Sequence, residues 1–102
     1  TASLRGSSGF SAFSSANFAL RAVSQSMARE LGPEGIHVAH FVIDGAIDTA
    51  FIKEMFPDIY ALKEKDGILK PEAIADAYWF VHTQHRSAWT HEIDLRPYME
   101  KF

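Results

Sequence analysis

A chain of 102 residues is long enough for one small domain. Its 47% hydrophobic and 23% charged residues are the make-up of a folded globular protein rather than a disordered one. The formal net charge of -3 offers no basic stripe for phosphates and argues against a nucleic-acid partner, while the absence of cysteine excludes disulfides, zinc–thiolate sites and thiol nucleophiles.

In chain order, "TASLRGSSG" is small, polar and glycine-bearing, and predicts a loop. The opening "TASLRGSSGF" has no signal-peptide apolar core, and no apolar run approaches the ~18 residues a membrane span needs. The expectation is therefore a cytoplasmic protein with no membrane partner. The chain opens at Thr1 without Met, as a processed chain or a fragment would. From Phe10 onward, Phe13, Ala16, Leu20, Val23, Met27 and Leu31 recur at spacings of three and four. That is one face of an amphipathic helix, and the stripe is expected to face the core, Phe13 included. Ala12, Ala19, Ala22 and Ala28 lie beside it and suit close packing on another helix. Gly32-Pro33 is expected to stop the helix.

"GIHVAHFVIDG" carries Ile36, Val38, Phe41, Val42 and Ile43 between glycines, and predicts a strand covered on both faces. Thr49 to Phe56 predicts a short helix ended near Pro57, and "KEKDG" an exposed turn. "KPEAIADAYWFVHTQ" predicts a second long helix, with Pro71 in its first turn and Ile74, Ala77, Tyr78 and Val81 on one face. In "SAWTHEIDLRPY", Trp89, His91, Ile93 and Leu95 alternate with Thr90, Glu92, Asp94 and Arg96, as in a strand with one wet face or at a sheet edge. Helix, strand, helix, helix, strand is an α/β order. Two strands are too few for a self-sufficient sheet, so another chain or an N-terminal half is expected to complete it.

Two stretches carry a family resemblance. "NFALRAVSQSMARELGPEGIHVAHFVIDGAIDT" resembles the active-site helix, following strand and P-G-x-x-x-T loop of the short-chain dehydrogenases/reductases. "KPEAIADAYWFVHTQHRSAWTHEIDL" is similar to that family's last helix and final strand. Ala28, Glu30, Leu31, Gly35, Ile36, Val38, Gly45 and Thr49 carry the pattern. The resemblance implies the C-terminal half of a Rossmann-type doubly wound fold, residues 1–102 forming one partial domain without the dinucleotide-binding half. The family's glycine-rich turn follows its first strand. "GSSG", Gly6 to Gly9, follows no predicted strand and reads better as a loop than as a phosphate cradle.

The family's chemistry uses a tyrosine and a lysine four apart on the active-site helix, hence on one face. The lysine charge lowers the phenol pKa, so that the phenol exchanges a proton with the substrate oxygen. The resemblance places Phe13 and Asn17 at those positions. Phe13 has no titratable proton; Asn17 has no charge but can still hydrogen-bond a ribose hydroxyl. The family's serine position falls just before Thr1, with Thr1 and Ser3 the nearby hydroxyls. Tyr60, Tyr78 and Tyr98 have no evident base beside them in the sequence. The resemblance implies NAD or NADP as cofactor, with Asn17, Gly45, Ile47 and Thr49 facing it; Thr49 reads equally as the N-cap of a short helix. Asp44 stands where the family has proline.

Five histidines raise a metal site, but His37 and His40 are three apart on a strand and point to opposite faces. His82, His85 and His91 with Glu92 read better as a solvated helix end and its surroundings; no metal site is expected. Two functions remain open. One is an oxidoreductase lineage with its catalytic tyrosine and lysine absent, needing an N-terminal half in trans. The other is a non-catalytic interaction domain, expected to form a homodimer or larger oligomer.

Overall fold

In the computed structural model, which describes residues 2–102, helix α1 spans Ser11–Leu31. It is followed by strand β1 (His40–Ile43), helices α2 (Ala50–Met55), α3 (Pro57–Tyr60) and α4 (Pro71–His82), and strand β2 (Glu92–Leu95). Short 3-10 turns occupy Gly32–Glu34 and Ala61–Lys65. The strands pair in parallel, His40 opposite Glu92 and Ile43 opposite Leu95, with α4 on the connection between them. This is a small α/β unit with a two-stranded parallel sheet.

The helix α1 has the predicted length, but its end is set later than expected. Gly32 keeps right-handed helical angles, and the left-handed residue that turns the chain is Gly35 at φ 82°. The Gly35 N–H donates to the Gly32 carbonyl at 2.9 Å and the Ile36 N–H to the Leu31 carbonyl at 3.1 Å. Glycine is the residue that adopts such a φ without a steric cost.

The strand β1 is shorter than predicted. Residues 36–39 lie outside it, and there side chains bridge the segments instead of a backbone ladder. His37 Nε2 donates to the Thr90 carbonyl at 2.7 Å, and His91 Nδ1 approaches the Val38 carbonyl at 3.3 Å. The His37 ring stacks on Trp89 with centroids 4.6 Å apart.

The face of α1 that meets the sheet lies about a quarter-turn round the helix from the predicted stripe. Phe13 is 60% exposed, and Leu20, Val23 and Met27 are exposed with it. The covered side carries Ser14, Asn17, Arg21, Ser24, Gln25 and Ala28. Glu92 at the start of β2 accepts two hydrogen bonds from Arg21, Nε and Nη2 each at 2.8 Å, and this pair ties the polar side of α1 to the sheet. Phe13 is therefore not a core residue of the described structure.

On the other side of the sheet, α4 follows the prediction. Val81 is buried, Ile74 and Ala77 are partly covered, and Tyr78 stacks on Phe41 with ring centroids 3.7 Å apart. Pro57 opens α3 as well as following α2, and "KEKDG" contains a 3-10 turn ended by Asp66 at φ 53°. The core is thin: Val42, Ile68, Leu69 and Val81, with Pro97, are the buried apolar residues among those described.

Candidate functional site

A cavity of about 390 Å³ lies between the N-terminal segment, the first half of α1 and the C-terminal end of β1. Phe10, Phe13 and Leu20 give it apolar walls, while Ser14, Asn17, Asp44 and Gly45 give it polar ones. Three turns of one helix and the turn after one strand thus bring Phe13, Asn17 and Gly45 together. Ser3 is buried and lines the same cavity. Thr1 lies outside the described residues. Ile47 and Thr49 do not line the cavity. Ile47 bridges to Leu69, and the Thr49 hydroxyl accepts the Ile52 N–H at 3.3 Å as the N-cap of α2. The capping alternative for Thr49 is the arrangement observed.

No phenol or ammonium group occupies the helix positions where the resemblance places the relay. Asn17 Nδ2 donates to the Phe13 carbonyl at 2.8 Å, so the amide is turned onto its own helix. Phe13 offers a ring and no exchangeable proton. Within Gly6 to Gly9, Ser8 and Gly9 form a turn whose Phe10 N–H donates to the Ser7 carbonyl at 3.1 Å, and no strand precedes it among the described residues.

Two ion-pair clusters support the cavity, and both join residues far apart in sequence. Arg21 holds Glu92, whose Oε2 also lies 3.1 Å from His40 Nδ1. The Arg21 hydrogen bonds hold the Glu92 carboxyl below the usual carboxylate range, against a smaller opposing effect of burial. The same bonds raise the Arg21 guanidinium. The second cluster pairs Asp44 with Arg96, Oδ2 to Nη1 at 3.0 Å. Sequence reasoning missed both, since a pair 71 residues apart leaves no local signature.

A third cluster corrects the reading of Tyr60. Lys63 Nζ lies 3.4 Å from the Tyr60 hydroxyl and 2.7 Å from Asp48 Oδ2. The phenol does have a basic neighbour, three residues on. That ammonium is committed to Asp48: their hydrogen bond lowers the Asp48 pKa and raises that of Lys63. Tyr60 stands outside the cavity. Among the described residues, no three His, Cys, Asp or Glu side chains converge as a metal site would require. No described helix is long and apolar enough to cross a membrane.

Comparison with solved structures gives a match to the crystal structure of a short-chain dehydrogenase from Rhodopseudomonas palustris. The two are 47% identical and superpose with a TM-score of 0.64 over 95% of this chain. This chain matches part of a short-chain dehydrogenase/reductase fold. It spans about a third of the relative, 34% of that chain. No family model matches the chain, and no curated protein does. The two-stranded sheet and its helices are thus a portion of the dehydrogenase fold, and the cavity opens on the side of the portion where α1 and the end of β1 meet.

Proposed function

We propose that the chain is the C-terminal portion of a short-chain dehydrogenase/reductase-lineage protein and does not by itself run the family's oxidoreductase chemistry. The observation that carries this reading is the cavity wall formed by Phe13 and Asn17, with the Asn17 amide bonded to the Phe13 carbonyl at 2.8 Å. A phenol and an ammonium one helical turn apart would supply and stabilise a proton there; a phenyl ring and an internally bonded amide supply neither. NAD or NADP is the cofactor the lineage implies. Of the four residues expected to face it, Asn17 and Gly45 remain in the cavity wall, Ile47 and Thr49 being engaged in the bridge and the helix cap. Binding would need a dinucleotide-binding half in trans, and the setting would be cytoplasmic.

The test is reduction of a panel of small aldehydes and ketones with NADH and NADPH. The wild-type chain is expected to show no turnover. Turnover by the wild-type chain above the cofactor-and-substrate background would contradict the reading, because another group would then be moving the proton.

A second reading is favoured by one specific observation. Phe10, Phe13, Leu20, Val23 and Met27 form an exposed apolar stripe along α1. Such a stripe marks a surface that another protein covers, and the alternative function is a non-catalytic interaction domain that forms a homodimer or larger assembly. Sedimentation of the chain at micromolar concentration tests it: an oligomer is expected, and a monomer at all concentrations would remove this reading.

A further inference from the structure

The turn out of β1 is fixed from two sides. On one side, the Asp48 N–H donates to the Leu69 carbonyl at 2.9 Å and the Leu69 N–H to the Ala46 carbonyl at 2.8 Å. On the other side stands the end of β2. The Asp44 N–H donates to the Leu95 carbonyl at 2.9 Å, and Asp44 Oδ2 lies 3.0 Å from Arg96 Nη1. Pro97 packs directly on Gly45, whose φ is 150°; a Cβ there would lie 2.8 Å from Pro97 Cδ. Arg96 is itself oriented, since it pairs with Asp94 and its guanidinium carbon lies 3.5 Å from the Phe102 ring centroid.

The Asp44 side chain is 6% exposed and that of Arg96 16%. A carboxylate so removed from water is favoured by a cation held beside it, as Arg96 is here. In the family that this stretch resembles, a proline stands at the Asp44 position and its ring restricts φ. Asp44 has no such restriction, and the ion pair supplies a constraint of another kind.

We propose that Arg96 is the positioning residue of the cavity rim: through Asp44 it fixes the backbone of Gly45, which forms part of the cavity wall. This role goes beyond the proposed lineage and stands or falls independently of nucleotide binding. It also explains why an arginine occupies the end of a strand whose neighbour Asp94 is solvent-facing. One guanidinium, with several donors in a plane, can meet Asp44 inside and Asp94 outside at once.

Amide hydrogen exchange of the full chain tests this, read at Asp44 and Asp48, with Ile74 in α4 as the reference. Arg96→Gln is expected to speed exchange at Asp44 and Asp48 by about tenfold or more relative to Ile74. The conservative Arg96→Lys, which keeps the cation, is expected to hold both amides within about threefold of wild type. Unchanged exchange at Asp44 and Asp48 in folded Arg96→Gln overturns the proposal. Should Arg96→Gln not fold, the double variant Arg96→Gln/Asp44→Asn decides. With both charges of the pair removed, it is expected to fold while still exchanging faster than wild type at Asp44 and Asp48 relative to Ile74, and wild-type protection at both amides in the double variant overturns the proposal equally.

Discussion

Glu92 ties helix α1 to the start of β2 through Arg21. It sits across the sheet from His40, accepts two bonds from Arg21, and is held below its ordinary pKa chiefly by them. The sign of the pH effect follows. A carboxyl whose pKa is lowered by folding binds fewer protons in the native state than in the unfolded one. Its stabilisation is present above the unfolded value, about 4.3, and is lost as pH falls through the lower folded value. Urea unfolding midpoints are therefore expected to fall as pH drops below about 4.3, and Glu92→Gln is expected to flatten that part of the profile. An unchanged acid limb in the variant would mean that other carboxyls, Asp48 among them, carry the effect.

Gly45 is the second residue whose identity the fold dictates. Its φ of 150° and the contact with Pro97 leave no room for a side chain. Gly45→Ala is expected to destabilise the chain by about 1–3 kcal/mol, read as a shift in the denaturant midpoint. Gly32→Ala is the control, because nothing lies within 4 Å of a Cβ there.

Among the elements, the two long helices were legible because each carries an unbroken periodicity closed by a breaker. α1 runs Ser11–Leu31 and α4 runs Pro71–His82, close to the predicted stretches. What the periodicity could not reveal is which neighbour covers the stripe. An amphipathic pattern states that one face avoids water when the molecule is fully assembled; it does not state that this chain provides the cover. In α1 the sheet takes the polar face, through Arg21 and Glu92, and the apolar face is left open. The candidate site was legible to a similar degree. Phe13, Asn17 and Gly45 were named from the sequence and share the cavity, whereas His40 and Asp44 reach it through pairings with Glu92 and Arg96 that only the fold creates. Ile47, in a β-bridge to Leu69, and Thr49, the N-cap of α2, lie outside that cavity. Thr49→Ala is expected to cost about 1 kcal/mol, the loss of one N-cap, with weaker helical protection at Ile52.

Taken whole, the molecule is open. Its radius of gyration is 15.4 Å, against about 13 Å for a compact domain of 100 residues. It measures 46 × 30 × 22 Å, and no large side chain among those described is fully buried. The helices and strand pair correspond to about a third of the matched dehydrogenase, 34% of that chain. The exposed stripe on α1 is where closure is expected. Leu20→Glu with Val23→Glu should shift sedimentation toward monomer while leaving helix content unchanged, since both side chains are more than half exposed. Loss of helix content in step with dissociation would instead place these residues in the fold's own stability.

The most direct test of the central claim is a titration of the purified 102-residue chain with NADH and NADPH, followed by nicotinamide fluorescence. The account predicts no saturable signal up to about 1 mM, weaker than the roughly 4 kcal/mol that a millimolar dissociation constant represents. The cavity keeps Asn17 and Gly45, but the described residues contain no glycine-rich turn following a strand to take the pyrophosphate. Saturable binding at lower concentration would contradict it and make this portion of the dehydrogenase fold a nucleotide site in its own right.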